Sequence, residues 1–305
     1  MKIEAVIVCV NYADFLAFTL PANKHFFDRM VVVTDTKDSK TKDICEYYHV
    51  ECIQTDAFYE NGSTINKAEG INMGLEALSL DGWVVQLDAD IYLPPLFRHI
   101  IQKLEPHLLT DSLYTIDRMM CPSFEAWVEF LCKPTLTHTG WIYIHPTVFP
   151  MGVRIAEYME EGYEPIGYFQ MWNPKVSGIY NYPTEALGVD RTDVLHAKRF
   201  PRNKRVLLPE LICIHLESEG LNYKEMGKNW FGRKTKIFGP ESVQEVQPLI
   251  EEKPTETLVN YSTGYSVITK EDTTQLSTIE TWGIVPTIEK DIKKGKILIE
   301  EEIEK

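Results

Sequence analysis

The first part of the sequence alternates short apolar runs with helical segments, and this alternation limits the folds open to the chain. Runs rich in β-branched residues, as expected of buried strands, are KIEAVIVCV, MVVVTD, VECIQT and WVVQL. Between them lie DFLAFTLPANKHFF, SKTKDICEYYH and TINKAEGINMGLEALS, and in the last of these Asn66 and Glu69 resemble a helix-capping pair. Such alternation builds a mainly parallel sheet with helices on both faces, so we predict an α/β fold.

The rest of the chain differs in composition. Its middle is irregular and rich in aromatic, Pro and Gly residues, which suits a binding wall of loops and short strands. The C-terminal end, IEKDIKKGKILIEEEIEK, predicts an appended hairpin or a terminal helix. We expect one domain over residues 1–240, with halves 1–110 and 111–240, followed by an extension over 241–305.

The charge of the chain restricts its partners. A formal net charge of −14 argues against nonspecific attraction to nucleic acid, although the stretch HAKRFPRNKR at 196–205 is basic and forms either a solvated loop or a functional patch. The six cysteines include no Cys-x-x-Cys pair, which predicts reduced core residues and not a zinc site. No window approaches the roughly 18 apolar residues of a membrane span, so we expect a cytoplasmic protein.

Polar residues follow several of the predicted strands. Asn11 follows the first strand, Thr34 and Asp35 end the second, and Asp88 and Asp90 follow the fourth. Parallel sheets bind ligands beyond the carboxyl ends of their strands, so these residues are the candidates for a binding site.

Asp88 and Asp90 are the strongest of these candidates. Two carboxylates two residues apart, at the mouth of a buried strand, can converge on one hard divalent cation. A solvated turn is the alternative for an isolated Asp-x-Asp. The apolar run directly before the pair favours the cation, because partly buried carboxylates need a counter-ion.

Taken in order, these motifs resemble the GT-A fold glycosyltransferases, most closely the inverting family-2-like group, over roughly residues 3–232. The resemblance implies a metal-dependent transferase that uses a nucleoside-diphosphate sugar, a UDP-sugar being the simplest choice, together with Mn²⁺ or Mg²⁺. It assigns nucleoside contacts to Asn11, Thr34 and Asp35, for which turn and capping roles are the alternative.

Three further segments carry the resemblance. NKAEGINMGLEAL matches the helix that faces the donor, which implies donor contacts for Lys67 and Asn72; a lone lysine at this position could equally be a surface residue. GYFQMW resembles the loop over the sugar and the acceptor, but it has one Gly where two are commoner. It implies an acceptor side that contains Tyr168, Phe169 and Trp172, whereas an aromatic core strand is the alternative.

GVDRTDVLHAKRF resembles the segment that carries the catalytic base, although Val189 stands where an acidic residue is more usual. The resemblance makes Asp190 the base and Asp193 its partner or substitute. A simpler interpretation is that both are acidic residues at a helix N-terminus, where the dipole favours them.

The last matches lie farther along the chain. His215 in LICIHLES resembles the histidine that completes the metal shell with Asp88 and Asp90, and a hydrogen-bonded core histidine is the alternative. NWFGR resembles a short tail segment of related enzymes in which Arg233 would meet the diphosphate.

Other functions fit the sequence less well. A haloacid dehalogenase-type phosphatase would place its Asp-x-Asp near the first strand, and a nucleotidyltransferase would have a Gly-rich basic loop where this chain has NYADFL. A non-catalytic nucleotide-sugar-binding protein of the same fold stays open as an alternative. The acceptor is equally open: it is a saccharide, a protein, a lipid-linked sugar or, less in keeping with the acidic charge, a modified DNA base.

Overall fold

The computed structural model describes residues 1–63, 65–132, 149, 165–185, 191–216, 286–291 and 296–301. In chain order the strands are β1 (Ile3–Val8), β2 (Arg29–Asp35), β3 (Glu51–Thr55), β4 (Trp83–Asp88), β5 (Ile91–Tyr92), β6 (Leu113–Met120), β7 (Phe169–Trp172), β8 (Arg205–His215), β9 (Pro286–Asp291) and β10 (Lys296–Glu301). The helices are α1 (Ala13–Asn23), α2 (Ser39–Tyr47), α3 (Lys67–Ala77), α4 (Phe97–Leu104), α5 (Phe124–Cys132), α6 (Pro174–Ser177) and α7 (Thr192–Lys198).

Eight strands form one sheet in the order β3-β2-β1-β4-β7-β6-β8-β5. The strands of the first half pair in parallel, from β3 through β2 and β1 to β4. β7 is antiparallel to both of its neighbours, β6 and β8 are parallel to each other, and β5 is antiparallel to β8. The predicted GT-A class, a mainly parallel α/β sheet with a mixed second half, is therefore confirmed.

The sheet is buried on both faces by helices. One core cluster joins the sheet to α1, α2 and α4, and a second joins it to α3 and to α7 on the opposite face. Parallel strands covered on both sides are expected to be almost continuously apolar, as β1 and β2 are. Four of the cysteines predicted to be reduced core residues, Cys9, Cys45, Cys121 and Cys213, are buried and free of disulfides.

Helix α3 packs against β1 and β2 at unusually close range. Its N-cap is Asn66, whose side chain accepts a hydrogen bond from the Glu69 N–H, as the predicted capping pair requires. A Cβ added to Gly74 would lie 2.3 Å from Val6 Cγ2 and 3.0 Å from Val33 Cγ2. The absence of a side chain at position 74 therefore sets the distance between the helix and the sheet, and with it the position of the helix N-terminus.

The two C-terminal strands pair with each other and form an antiparallel hairpin, in agreement with one of the two predictions for this segment. The remainder of the predicted extension lies outside the described residues, so its proposed boundary at residue 241 stays a prediction. Within the described part of the chain, no helix is both long enough and apolar enough to cross a membrane.

We expect Gly74→Ala to destabilise the protein by about 1–3 kcal/mol, because the added methyl group overlaps two valine side chains of the sheet. Glu76→Ala on the exposed face of the same helix is the control, with an expected change within about 0.5 kcal/mol. Urea unfolding of both variants measures the two values. Equal stabilities would show that α3 does not depend on close contact at Gly74.

Candidate functional site

The candidate residues collect at one edge of the sheet. Because β1, β2 and β4 are parallel, their carboxyl ends lie together, and Val8 is in register with both Val33 and Asp88. β8 runs in the same direction as β4, since β7 is antiparallel to β4 and β6. His215 therefore ends its strand at the edge that holds Asp88, and we call this edge of the sheet the site edge.

A buried carboxylate, Asp38, organises the part of the site edge at β1 and β2, which the resemblance assigns to the nucleoside and which we call the nucleoside side. Its Oδ2 accepts hydrogen bonds from the Asn11 backbone N–H at 2.9 Å, from the Thr34 hydroxyl at 3.2 Å and from the Thr41 hydroxyl at 2.7 Å. Asp38 is also the N-cap of α2. The sequence analysis missed it, although an Asp followed by Ser and Thr at the start of a helical segment is a capping signal.

Asp35 lies at the end of β2 and is completely buried. Its Oδ1 accepts a hydrogen bond from the Lys37 N–H at 2.7 Å, whereas its Oδ2 has no hydrogen-bond partner. The nearby Tyr59 hydroxyl faces Asp35, and burial, followed by the interaction with that carboxylate, raises the pKa of Tyr59. Neither Asp35 Oδ2 nor the Tyr59 hydroxyl has a hydrogen bond of ordinary length, so both atoms keep unused hydrogen-bonding capacity at the end of β2.

Lys67 is the positive centre of the site edge. It is the first residue of α3, and its ammonium lies 2.5 Å from Asp88 Oδ1, an oxygen that also accepts a hydrogen bond from Gln86 at 2.9 Å. Burial lowers the pKa of Lys67, but the negative charges of Asp88, Asp193 and Asp90 outweigh burial and raise it. One partly buried ammonium group thus pairs with the carboxylate at the end of β4 and feels the charge of the carboxylate at the start of α7.

The two aspartates of the Asp-x-Asp have different partners: Asp88 pairs with Lys67, and Asp90 pairs with His215. The Nε2 atom of His215 lies 3.1 Å from Asp90 Oδ2, and both side chains are almost fully buried. The Nδ1 atom of His215 faces Arg118 Nη1 at 2.8 Å. Because a guanidinium group only donates hydrogen bonds, Nδ1 accepts this one, and the proton of a neutral imidazole then lies on Nε2 and points to Asp90.

Helix α1 supports the segment that carries Asp90. The Thr19 hydroxyl donates a hydrogen bond to the Ala89 carbonyl at 2.6 Å. Asn23 donates to the Ile91 carbonyl at 2.7 Å and accepts from the Leu93 N–H at 3.0 Å. These buried side chains, which the sequence analysis did not identify, fix the backbone on both sides of Asp90.

Asp193 lies in the first turn of α7. Its Oδ2 accepts a hydrogen bond from the Gly167 N–H at 2.6 Å, and its Oδ1 accepts one from the Val194 N–H at 2.9 Å. Burial raises its pKa, while Lys67 and these N–H groups act in the opposite direction without cancelling the effect. A Cβ at position 167 would lie 2.5 Å from the Asp193 Cβ, so this approach requires glycine.

Asn72, predicted to contact the donor, instead binds the protein backbone. Its side-chain amide donates to the Tyr182 carbonyl at 3.0 Å and accepts from the Tyr182 N–H at 2.6 Å. At the N-cap of the same helix, six residues earlier, Asn66 donates to the Thr184 carbonyl at 3.0 Å. Helix α3 therefore holds the segment that leads toward Asp190.

The three aromatic residues predicted to face the acceptor are core residues. Tyr168, Phe169 and Trp172 are each at most 1% exposed. The Trp172 indole N–H donates to the Ile179 carbonyl at 2.8 Å, and its ring packs against His196. Their burial matches the alternative interpretation of GYFQMW as an aromatic core strand, and it leaves no exposed ring for an acceptor.

Asp190 and Arg233 lie outside the described residues, so their predicted roles stay predictions. The basic stretch at 196–205 begins in α7 and ends where β8 starts, at the end of that strand opposite His215. Arg199 hydrogen-bonds to Asn181, and Lys204 pairs with Asp111 at 2.8 Å. These two contacts leave Arg199 and Lys204 less available to bind nucleic acid. Nothing in the described residues supports a nucleic-acid partner.

The chemistry of Asp88 and Asp90 fits a divalent cation, because carboxylate oxygens are the ligands that Mn²⁺ and Mg²⁺ prefer. Their present partners are Lys67 and His215. Within the described ranges, no three His, Cys, Asp or Glu side chains form a ready set of ligands. Asp88 Oδ1 could therefore bind a cation only by exchanging Lys67 for the ion, and His215 Nε2 could join only with its proton on Nδ1.

No protein-family model and no curated protein sequence matches the chain. A mannosyltransferase from Pyrobaculum calidifontis, solved with GDP-Man and Mn²⁺, is 14% identical over 72% of this chain and 58% of its own, with a TM-score of 0.45. Glucosyl-3-phosphoglycerate synthase from Mycobacterium tuberculosis, solved with Mn²⁺, UDP-Glc and phosphoglyceric acid, is 14% identical over 70% of this chain and 71% of its own, with a TM-score of 0.44.

Mannosyl-3-phosphoglycerate synthase from Rubrobacter xylanophilus is 15% identical over 39% of this chain and 40% of its own, with a TM-score of 0.32. This chain thus spans less than two thirds of the mannosyltransferase and of the mannosyl-3-phosphoglycerate synthase. Since these TM-scores lie below 0.5, the fold assignment rests on the strand order, and the chemistry rests on the side chains of the site edge.

His196 lies in α7 and packs against Trp172, so the protonation of its ring tests how completely this region is buried. It stacks on Tyr182 with ring centroids 3.7 Å apart, its ring nitrogens have no hydrogen-bond partner, and burial lowers its pKa to about 3. Below an unfolded-state pKa of about 6.5 only the unfolded chain takes up this proton, so stability falls as the pH drops from about 6.5 toward 3.

His196→Phe removes this proton uptake, so wild type should lose about 2 kcal/mol more than the variant between pH 8 and pH 5. Urea unfolding at both pH values measures the difference. His99→Phe, at an exposed position on α4, is the control and should leave the pH dependence close to that of wild type. An identical loss in wild type and His196→Phe would show that His196 becomes protonated in the folded protein.

Proposed function

We propose that the chain is a metal-dependent glycosyltransferase that moves a sugar from a nucleoside-diphosphate sugar, a UDP-sugar in the simplest case, to an acceptor hydroxyl with inversion. The observation that carries the proposal is the partly buried Lys67 ammonium, which pairs with Asp88 and feels the charges of Asp90 and Asp193 at the carboxyl edge of parallel strands. A cation among carboxylates at this place suits a ligand that brings phosphate groups and a metal ion together.

The nucleoside and the diphosphate of the donor would each contact a different part of the site edge. The unpartnered Oδ2 of Asp35 is an acceptor for a base or ribose donor, and Asn11 and Thr34 shape that region through Asp38. Lys67 is suited to a donor phosphate, because an ammonium released from Asp88 is a compact phosphate ligand. In the same proposal Arg233 contacts the diphosphate, and Asn72 acts by positioning the backbone at Tyr182.

Asp88 and Asp90 would hold Mn²⁺ or Mg²⁺. His215 would be a third ligand only after its proton moves to Nδ1, and Arg118 would then lose its hydrogen bond to Nδ1 while it stays stacked on Tyr168. When bound, the ion neutralises charge on the departing diphosphate. With an ion held by Asp88, Lys67 would be available for a donor phosphate, and Asp88 would keep a positive partner. Two carboxylates without a cation would otherwise repel each other at the end of β4.

Inversion requires a carboxylate that removes the proton of the acceptor hydroxyl during attack on the anomeric carbon. Asp190 is the proposed base. Asp193 is the alternative: its raised pKa favours proton acceptance, whereas its hydrogen bonds from Gly167 and Val194 favour a positioning role. The two N–H contacts lead us to assign the positioning role to Asp193.

A non-catalytic nucleotide-sugar-binding protein is the competing proposal. The observation in its favour is that both carboxylates of the Asp-x-Asp already have protein partners, Lys67 and His215. A protein that only holds the nucleotide would need no exchange of these partners. Donor binding and turnover therefore have to be measured separately.

Calorimetric titration with UDP-, GDP- and TDP-sugars, with and without Mn²⁺, tests the donor site. We expect metal-dependent binding of one donor, and a loss of about 100-fold or more in Asp88→Ala/Asp90→Ala, because even changes outside the ligand shell cost roughly 10- to 100-fold. Asp43→Ala, an exposed carboxylate on α2, is the control. Binding that ignores both the metal and the double substitution would rule out the proposed metal site.

Release of the nucleoside diphosphate in the presence of hydroxyl acceptors tests catalysis. We expect Asp190→Asn to lower kcat by roughly 100- to 10,000-fold with donor binding preserved, since it removes only the base. Asp193→Asn should lose less activity and also lower the unfolding temperature, because one of two backbone contacts is lost. The reverse ranking would make Asp193 the base, and donor binding without any release by wild type would favour the binding protein.

A further inference from the structure

Arg118, on β6, is held in place beside the candidate metal residues. Its Nη1 lies 2.8 Å from His215 Nδ1, and its guanidinium carbon lies 4.4 Å from the centre of the Tyr168 ring. Stacking on an aromatic face and a directed hydrogen bond together fix both the plane and the rotation of a guanidinium group. The sequence analysis did not single out this arginine.

The other edge of the same guanidinium has no partner. Nε is buried without a hydrogen bond, and no described residue accepts a hydrogen bond from Nη2. Nε and Nη2 form the edge that binds two oxygens of a carboxylate or a phosphate group. Arg29 uses the same edge in this protein, where its Nε and Nη2 lie 3.2 and 2.6 Å from Glu51 Oε2.

An unpaired arginine is unexpected in a chain with a net charge of −14. Two other described cations near the sheet have carboxylate partners: Lys67 pairs with Asp88, and Arg98 pairs with Asp28. Arg118 instead contacts the ring of His215, whose other nitrogen pairs with Asp90. A buried donor left without a partner costs free energy, which a bound anion would recover.

The strand order separates Arg118 from the nucleoside side of the site edge. Asn11, Thr34 and Asp35 belong to β1 and β2 or follow them, whereas β6 lies beyond β4 and β7. An anion at Arg118 would therefore lie beyond β4 and β7, on the side away from the proposed base and ribose contacts. This is the side left for the acceptor.

We propose that Arg118 binds a carboxylate or phosphate group of the acceptor through Nε and Nη2, so that the acceptor is an anionic hydroxyl compound. The identification of this anion with the acceptor rests on the proposed function. The binding of the anion itself rests on the unpartnered edge of Arg118.

Calorimetric titration of the full chain with inorganic phosphate and, separately, with acetate tests the anion site. UDP and Mg²⁺ are kept at high concentration, so that the proposed diphosphate site is filled. We expect wild type to bind at least one of the two anions, and the comparison of the two identifies the preferred class. In Arg118→Met the Kd should rise about 10- to 100-fold, because two charge-assisted hydrogen bonds are lost.

Two further variants complete the test. Arg118→Lys keeps the charge without the two-donor edge and should weaken binding several-fold, and it decides the matter if Arg118→Met does not fold. Arg29→Met removes an arginine whose edge is already occupied by Glu51 and should leave anion binding unchanged. A folded Arg118→Met or Arg118→Lys variant with wild-type affinity, or a wild type that binds neither anion, would overturn the proposal.

Direct titration with UDP separates this proposal from the proposed function. UDP binding without anion binding would reject the anion site and leave the donor site standing. Arg118-dependent anion binding without binding of UDP or of any sugar nucleotide would retain the anion site and reject the transferase.

Discussion

The ion pair between Lys67 and Asp88 is the contact on which the site edge depends. It joins the first residue of α3 to the last residue of β4, and it gives the negative charges of Asp90 and Asp193 a common counter-charge. Without Lys67, three carboxylates would share a partly buried region in a chain that is already strongly acidic. The position of the ammonium in turn depends on how closely α3 approaches the sheet, which Gly74 determines.

The site edge combines a well-supported nucleoside side with a second side built around Asp90. Asp38 ties the loop after β1 to β2 and α2, and α1 holds the backbone around Asp90. His215 and Arg118 then continue the row of polar contacts across β8 and β6. In the proposed function, the donor would extend along this edge from the carboxyl ends of β1 and β2 toward Asp90.

Much of the fold and part of the site followed from the sequence. Strand and helix periodicity gave the parallel half of the sheet, and the Asn66 cap fixed the start of α3 and thereby the place of Lys67. These features are local, so a single sequence reveals them. Arg118 and Asp38 were missed because their importance comes from partners distant in the chain, such as His215 for Arg118 and Asn11 for Asp38.

For the aromatic segment GYFQMW, motif matching predicted residues that face a ligand, whereas the structure has core residues. GYFQMW was predicted to face an acceptor, yet its pairing with β4 places Phe169 and Trp172 within the sheet and in the core. Whether a central strand has one or both faces covered is decided by tertiary packing, so alternation alone could not identify this burial. The contacts of Asn72 also depend on tertiary structure, because its partner, Tyr182, lies 110 residues away in the sequence.

The hydrogen bonds from Thr19 and Asn23 to the Ala89–Leu93 backbone have a further consequence. Helix α1 begins just after the loop at Asn11. Through these hydrogen bonds it connects the two sides of the site edge. A ligand that contacts both sides would meet groups already held at their final separation. Less ordering entropy would then be lost on binding, and more of the contact energy would appear as affinity.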